Sequence, residues 1–98
     1  MMSILHLVRS SQFQSTDFLQ CVEVLTPGDQ LVLLDDACYN LHHPLLIQAQ
    51  EKLLPHKIAV VASHAQARAI PLPETITGIS MTELVHLTFD YNSVVTWQ

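Results

Sequence analysis

The sequence predicts a single α/β domain in which a mostly parallel sheet of about five strands is flanked by helices. Short apolar segments of strand length recur at residues 4–8, 31–34 and 58–62, and helix-compatible segments follow them. The second and third of these segments are apolar throughout, which is typical of strands buried on both faces of a parallel sheet. Strands that alternate with helices predict parallel pairing through crossover connections.

The first half of the chain supplies two strands and the helix between them. Residues 4–8 are predicted as a buried strand that ends in a polar loop. A helix is then predicted to begin near residues 15–17 and to end at the Pro-Gly-Asp segment 27–29. Its apolar face has the i, i+3, i+4, i+7 spacing and consists of Phe18, Cys21, Val22 and Leu25.

The segment after the second strand begins with two acids. Asp35 and Asp36 are interpreted as solvent-facing caps of the next helix, because consecutive acids in this position favour capping over catalysis. Residues 37–41 are compatible with one helical turn. Residues 45–54 are predicted as a helix that Pro55 ends.

The second half of the chain predicts two more helices and three strands. The strand at residues 58–62 precedes an Ala-rich short helix at 64–69 and a short strand at 79–81. Thr82 and Glu83 are predicted to open a helix whose apolar side consists of Leu84, Leu87 and residues 89–91. Residues 94–97 form the closing strand, either within the core or as an edge that meets another subunit, where Trp is enriched.

Composition and charge narrow the possible functions. The 98 residues make one domain, 1–98, and only 13% of them are charged, against about 25% in a typical soluble protein. So little charge predicts that part of the exterior is buried against another protein. The formal net charge is −5, and the four bases are scattered along the sequence, so direct nucleic-acid binding is not expected.

Targeting and cofactor motifs are missing from the sequence. No apolar run approaches the roughly 18 residues that a membrane span needs, and the first residues lack a basic signal-peptide region, so we expect a cytoplasmic protein without membrane contact. With only two glycines, the chain has neither a dinucleotide fingerprint nor a phosphate-binding P-loop. No cofactor is predicted.

Two cysteines and six histidines are the candidates for site chemistry. Cys21 and Cys38 form no C-x-x-C pair, and each is interpreted either as a buried thiol or as a persulfide acceptor. Cys21 lies mid-helix, whereas Cys38 follows a strand, at the sheet edge where ligands collect. The adjacent His42 and His43 point in different directions, so no metal site is predicted.

Four segments of the chain are together similar to the DsrH/TusB family. The opening strand is followed by the basic–Ser pair Arg9-Ser10, and the second strand lies within a run that is similar to the family's G-D-x-L-L-L-L-x-D-G. The third strand leads into a short helix that ends in an A-R-x triplet, and a helix precedes a closing strand that ends in T-W. In order along the chain these are residues 4–10, 27–36, 58–69 and 79–97.

The resemblance implies a DsrE/flavodoxin-like subunit of a sulfur-relay complex. Such complexes are heterohexamers with two copies of each of three related chains, so the implied partners are subunits of the TusC/TusD or DsrE/DsrF type and a downstream sulfur acceptor. Sulfur travels as a cysteine persulfide, either to 2-thiouridine at the tRNA wobble position or into the oxidation of stored sulfur. The family assigns the main sulfur-carrying cysteine to a partner, which makes this chain an accessory subunit rather than an enzyme.

The sequence departs from the family at two positions and leaves two other functions open. Ala37 lies where the family often has Gly, and Cys38 lies where an aliphatic residue is usual, whereas Cys21 matches a cysteine of the DsrH branch. One alternative is an independent persulfide carrier that uses Cys21 or Cys38. The other is a small-molecule-binding α/β domain, since a fold alone does not fix function.

Overall fold

A five-stranded sheet forms the centre of the protein, whose computed structural model describes residues 3–54 and 57–98. All four strand pairings are parallel, in the order β4-β3-β2-β1-β5, which confirms the predicted fold class. The strands are β1 (Ile4–Val8), β2 (Gln30–Leu33), β3 (Ile58–Val61), β4 (Thr77–Ile79) and β5 (Ser93–Trp97). The helices are α1 (Asp17–Val24), a 3₁₀ helix (Asp35–His42), α2 (Leu45–Lys52), α3 (Ala62–Ala67) and α4 (Met81–Leu87).

The strand order places the helices on two faces in unequal numbers. The first three crossovers, from β1 through β4, all step in one direction across the sheet, so right-handed connections place α1, α2 and α3 on one face. The fourth crossover returns from β4 to the far side of β1, which places α4 on the opposite face. The strand order thus reverses between β1 and β5, and this is the switch point of the sheet.

Two apolar clusters lie on the two faces. The larger one joins α1, α2, the 3₁₀ helix and α3 to one face of β1, β2 and β3. The smaller one joins Leu84 of α4 to the other face. Every residue of β2 and β3 is buried, as predicted for the apolar residues 31–33 and 58–61, and the polar Gln30 is buried with them. Within the described residues, no helix has the length and apolar character to cross a membrane.

Several predicted elements are shifted or different in the structure. β4 covers Thr77–Ile79 rather than residues 79–81, and Met81 begins α4 instead. Phe89 does not extend the apolar side of α4, because the helix ends at Leu87 and the Phe89 side chain is 81% exposed. Pro55, the predicted terminator of α2, lies outside the described residues, and α2 ends at Lys52.

Two helix ends have well-defined capping. Ser80 caps α4 with a capping box, in which its hydroxyl accepts from the Glu83 N–H at 3.0 Å and the Glu83 carboxylate accepts from the Ser80 N–H at 3.0 Å. α3 ends in a Schellman motif, where the Ile70 N–H donates to the Ala65 carbonyl and the Ala69 N–H to the Gln66 carbonyl. This motif holds Ala69 in the left-handed region with φ of 55°.

A buried polar chain joins the first and last strands. His6, only 1% exposed in β1, lies between Trp97 of β5 and Asp29, which precedes β2. Asp29 also accepts hydrogen bonds from the backbone N–H groups of Ile4 and Thr26. These bonds satisfy the polar groups that β1 brings into the interior.

Candidate functional site

Polar side chains from three strand ends meet at the carboxyl edge of the sheet. Arg9 follows β1, Asp35 and Asp36 follow β2, and His64 and Arg68 belong to the helical segment after β3. The Arg9 N–H donates to the Trp97 carbonyl at 3.3 Å, which holds Arg9 at the switch point between β1 and β5. Ligands of open parallel sheets bind in this crevice, and we call these five residues the carboxyl-edge cluster.

Asp35 is the centre of the carboxyl-edge cluster. Its carboxylate accepts a hydrogen bond of 2.8 Å from Nε of Arg9, and its own N–H donates to Nδ1 of His64 at 3.0 Å. Because Nδ1 accepts, neutral His64 carries its proton on Nε2. Asp35 has φ of 52°, a left-handed conformation that is strained for a residue with a Cβ and that often accompanies functional sites.

The second ion pair lies beside the first. Nε and Nη2 of Arg68 are each 3.0 Å from Oδ1 of Asp36, and Nη1 donates to the His64 carbonyl at 3.1 Å. Asp35 and Asp36 therefore bind arginines, and the interpretation of both as helix caps is wrong, since Leu34 is the cap residue of the 3₁₀ helix and no side chain caps it. Pairs this exposed contribute about 0–1 kcal/mol each, so they position the side chains more than they stabilise the fold.

A cleft of about 230 Å³ lies next to the carboxyl-edge cluster. Its lining residues come from the loop after β1 and from the 3₁₀ helix and are Ser11, Phe13, Gln14, Asp36 and Tyr39. Buried Asn40 holds this loop, because its Oδ1 accepts from the Gln12 N–H at 2.7 Å and its Nδ2 donates to the Ser10 carbonyl. Phe13 is 64% exposed and packs edge-on against His43.

Arg9 is a cation of this edge that a partner can reach. Its side chain is half exposed, and only Nε is committed to Asp35 at short range. A guanidinium in this position can pair with a carboxylate, a phosphate or another small anion. The five residues of the cluster were not predicted as a group, because they are scattered in the sequence and only the parallel pairing brings the strand ends together.

Cys21 lies in the core and not in the carboxyl-edge cluster. It is fully buried on the inner face of α1 together with Phe18 and Val22. Burial, with a smaller contribution from the charge of Asp29, raises the pKa of the Cys21 thiol to about 12. The folded chain therefore keeps Cys21 as a neutral thiol at physiological pH.

Cys38 lies closer to the cluster but also points into the core. It is fully buried within the 3₁₀ helix. Burial raises the pKa of its thiol to about 11, with the positive charge of Arg68 acting against this shift and the charges of Asp35 and Asp36 adding to it. The structure brings neither predicted cysteine into the cluster, and a persulfide role for either stays a prediction.

Metal ligands do not converge in the described part of the chain. Across residues 3–54 and 57–98, no group of three or more His, Cys, Asp or Glu side chains has a geometry that could hold a metal ion. His43 instead accepts a hydrogen bond from the Leu45 N–H at the start of α2.

The geometry defines a class of protein and the comparison defines its family. The chain is a single α/β domain with an all-parallel five-stranded sheet and a paired polar cluster at the switch point, and both of its cysteines are buried. The family model described as DsrH like protein matches residues 10–94, and the chain belongs to this family. No curated protein sequence matches the chain. Family membership supports a sulfur-relay subunit that associates with related subunits.

Proposed function

We propose that this chain is an accessory subunit of a heteromeric sulfur-relay complex. The observation that carries the proposal is the DsrH match, which extends over residues 10–94 and so includes the helices of all four crossovers of the sheet. In the proposed complex, two copies of this chain assemble in the cytoplasm with two copies of each of two related α/β chains of the TusC/TusD or DsrE/DsrF type. The assembly passes persulfide sulfur to a downstream acceptor protein.

The sulfur-carrying cysteine of this complex belongs to a partner chain. Persulfide transfer needs a thiolate that the sulfur donor can reach. Cys21 and Cys38 are both fully buried, and burial raises their pKa values to about 12 and about 11. These two properties support an accessory role over the alternative of an independent persulfide carrier.

The carboxyl-edge cluster is the part of this chain that we assign to the relay. The half-exposed side chain of Arg9 belongs to the carboxyl-edge cluster, whose Asp36 lines the cleft formed by the loop after β1, and a persulfide is an anion at physiological pH. Arg9 is thus placed to stabilise the negative sulfur of a partner's cysteine when that partner docks at the switch point.

Co-expression tests the proposal directly. This chain carries the only affinity tag, the two related small chains are expressed beside it, and native mass spectrometry measures the purified product. We expect a heterohexamer with two copies of each chain. Recovery of the tagged chain alone, folded by circular dichroism, would contradict the proposal.

The destination of the sulfur is tested in cells. Deletion of the gene is followed by quantification of 2-thiouridine in purified tRNA and by growth on reduced sulfur compounds. Loss of 2-thiouridine assigns the chain to tRNA thiolation, and loss of sulfur-dependent growth assigns it to sulfur oxidation. Full retention of both phenotypes would contradict a relay role.

A further inference from the structure

A cavity of about 260 Å³ lies between α4 and the sheet, and none of its lining residues belongs to the carboxyl-edge cluster. Its floor consists of side chains from three neighbouring strands. Gln30 begins β2, and Ala59 of β3 pairs with Thr77 of β4. The volume is slightly below the roughly 300–1,000 Å³ of pockets that hold drug-sized ligands, so the cavity suits a smaller organic molecule. We call it the α4 cavity.

The wall of the α4 cavity is a stripe of α4 and of the turn that follows it. The stripe has the i, i+3, i+4, i+7 spacing and consists of Glu83, His86, Leu87 and Asp90. The Asp90 N–H donates to the Leu87 carbonyl, which extends the helical turn to Asp90. Glu83, His86 and Asp90 are exposed, so a ligand from solvent can reach the wall, where it meets two carboxylates.

Gln30 brings a buried hydrogen-bond donor to the floor of the cavity. It is only 7% exposed, and its Oε1 accepts from the Tyr91 hydroxyl at 2.7 Å. The same hydroxyl accepts from Nζ of Lys57 at 3.0 Å, so its single proton is free to go to Gln30. This direction leaves the amide NH₂ of Gln30 as the unused group, and within residues 3–54 and 57–98 it has no hydrogen-bond partner.

The unused amide group opens onto the α4 cavity. Across the described part of the chain, every side-chain nitrogen or oxygen that is sealed from solvent has a partner. The Gln30 NH₂ has no such partner, so it is not sealed, and the cavity is the open space that Gln30 lines. A donor in so buried a residue is expected to be paired, which makes it the point where a ligand's acceptor binds.

The groups around the cavity define the chemistry of its ligand. The Gln30 NH₂ needs an acceptor, such as a carbonyl oxygen. The carboxylates of Glu83 and Asp90 favour a cation with N–H donors and disfavour a second carboxylate. Ala59 and Leu87 supply apolar surface for a short aliphatic chain.

We propose that the α4 cavity binds a small aliphatic ammonium compound that also carries a neutral carbonyl oxygen. The carbonyl accepts from the Gln30 NH₂, and the ammonium group lies against the acidic wall of α4. This inference goes beyond the relay role and does not depend on it, because the cavity is formed within one chain.

Three matched probes test the proposed chemistry on the purified chain. γ-Aminobutyramide carries both groups, butylamine carries only the ammonium group and butyramide only the carbonyl. Heteronuclear NMR follows the backbone amide signals of Ala59, Thr77 and Leu87 during each titration. We expect a saturable shift with γ-aminobutyramide and a dissociation constant about tenfold lower than for either single-group probe.

Isosteric variants assign the two contacts. Gln30→Glu keeps the acceptor for Tyr91 but replaces the NH₂ with an oxygen, and it should weaken γ-aminobutyramide binding about tenfold. Asp90→Asn and Glu83→Gln each remove one exposed charge and should weaken it about two- to fivefold. Glutamine at position 83 retains the capping box. Glu51→Gln is the matched control, because it makes the same change in net charge on exposed α2 and should bind like wild type.

The outcomes are distinct. Equal affinity for butylamine and γ-aminobutyramide would overturn the proposal, because it would show attraction by charge alone. A shift that does not saturate, or one that maps outside the α4 cavity, would also overturn it, as would a loss of affinity in Glu51→Gln equal to that in Asp90→Asn. Circular dichroism checks the fold of each variant, and if Gln30→Glu does not fold, the exposed Asp90→Asn and the three probes still decide.

Discussion

Trp97 in β5 donates a hydrogen bond from Nε1 to Nδ1 of His6 in β1 over 3.1 Å. Because Nδ1 accepts, the proton of neutral His6 lies on Nε2, which donates to Oδ2 of Asp29 at 2.9 Å. The last strand of the domain is thereby connected through the first strand to the turn before β2. His6 and Asp29 are each 1% exposed, so water cannot replace either bond.

Trp97→Phe tests the contribution of this connection to stability. The substitution removes the only donor that the described residues offer to Nδ1 of His6 and leaves a buried acceptor unsatisfied. We expect the free energy of unfolding to fall by about 1–3 kcal/mol, measured by equilibrium urea denaturation. Thr96→Val, on the same strand but exposed, should change it by less than about 0.5 kcal/mol. Equal stability of the two variants would show that the hydrogen bond contributes nothing.

Asp29 gives the domain a defined acid sensitivity. Burial alone raises the pKa of Asp29, but hydrogen bonds from His6 and from the Thr26 and Ile4 N–H groups outweigh it and lower the pKa below its ordinary value. A lowered folded-state pKa stabilises the fold above the unfolded-state pKa of about 3.9, and this contribution is lost as the pH falls through the lower folded-state pKa. Asp29→Asn should be less stable than wild type at pH 6 and should lose less stability below pH 4. The free energy of unfolding of both proteins is measured by urea denaturation from pH 6 to pH 2. A parallel fall in the two free energies would contradict the assigned role of Asp29.

The first three strands could be predicted from the sequence because each is marked by a pattern of consecutive residues. Residues 4–8, 31–34 and 58–62 are apolar runs bounded by polar residues, and the structure forms β1, β2 and β3 within one residue of these bounds. The buried role of His6 was not predicted, although a histidine inside a buried strand needs polar partners. Its partners Asp29 and Trp97 are distant in sequence, and only the order and register of the strands bring them to it.

The carboxyl-edge cluster was missed for a related reason. Arg9 and Arg68 are far apart in the sequence and belong to no cluster of basic residues. Asp35 and Asp36 have the sequence pattern of helix caps. The pairing of Arg9 with Asp35 depends on β1 and β2 being parallel neighbours whose ends lie at the same edge. The left-handed conformation of Asp35 gave no signal, because glycine, the residue that usually marks such a turn, is absent there.

Ala69→Gly should stabilise the domain. Ala69 occupies the left-handed position of the Schellman motif that ends α3, with φ of 55°, and this conformation costs an alanine about 1–2 kcal/mol. Glycine removes that strain but loses about 0.5–1 kcal/mol of conformational entropy on folding. We expect a net gain of up to about 1 kcal/mol in urea denaturation. Ala67→Gly, two residues earlier and within α3, is the matched control and should be destabilising by about 0.5–1 kcal/mol.

Thiol alkylation tests whether either cysteine is available for sulfur. With pKa values raised by burial to about 12 for Cys21 and about 11 for Cys38, the thiolate fractions at pH 8 are roughly one in ten thousand and one in a thousand. Both side chains are also fully buried, so iodoacetamide reaches them only when the fold opens. We expect the intact mass of the native protein to stay unchanged after an hour at pH 8 and both thiols to react in urea.

An engineered surface thiol calibrates this reaction. Thr82→Cys places a thiol on the exposed side of α4, and it should be alkylated within minutes under the native conditions that leave Cys21 and Cys38 intact. The reaction of the native cysteines should accelerate with rising pH, because a raised pKa keeps the thiolate scarce until the pH approaches it. Modification of Cys38 as fast as the introduced surface thiol would mean that Cys38 is accessible as a thiolate. That result would favour Cys38, rather than a partner's cysteine as proposed above, as the sulfur carrier.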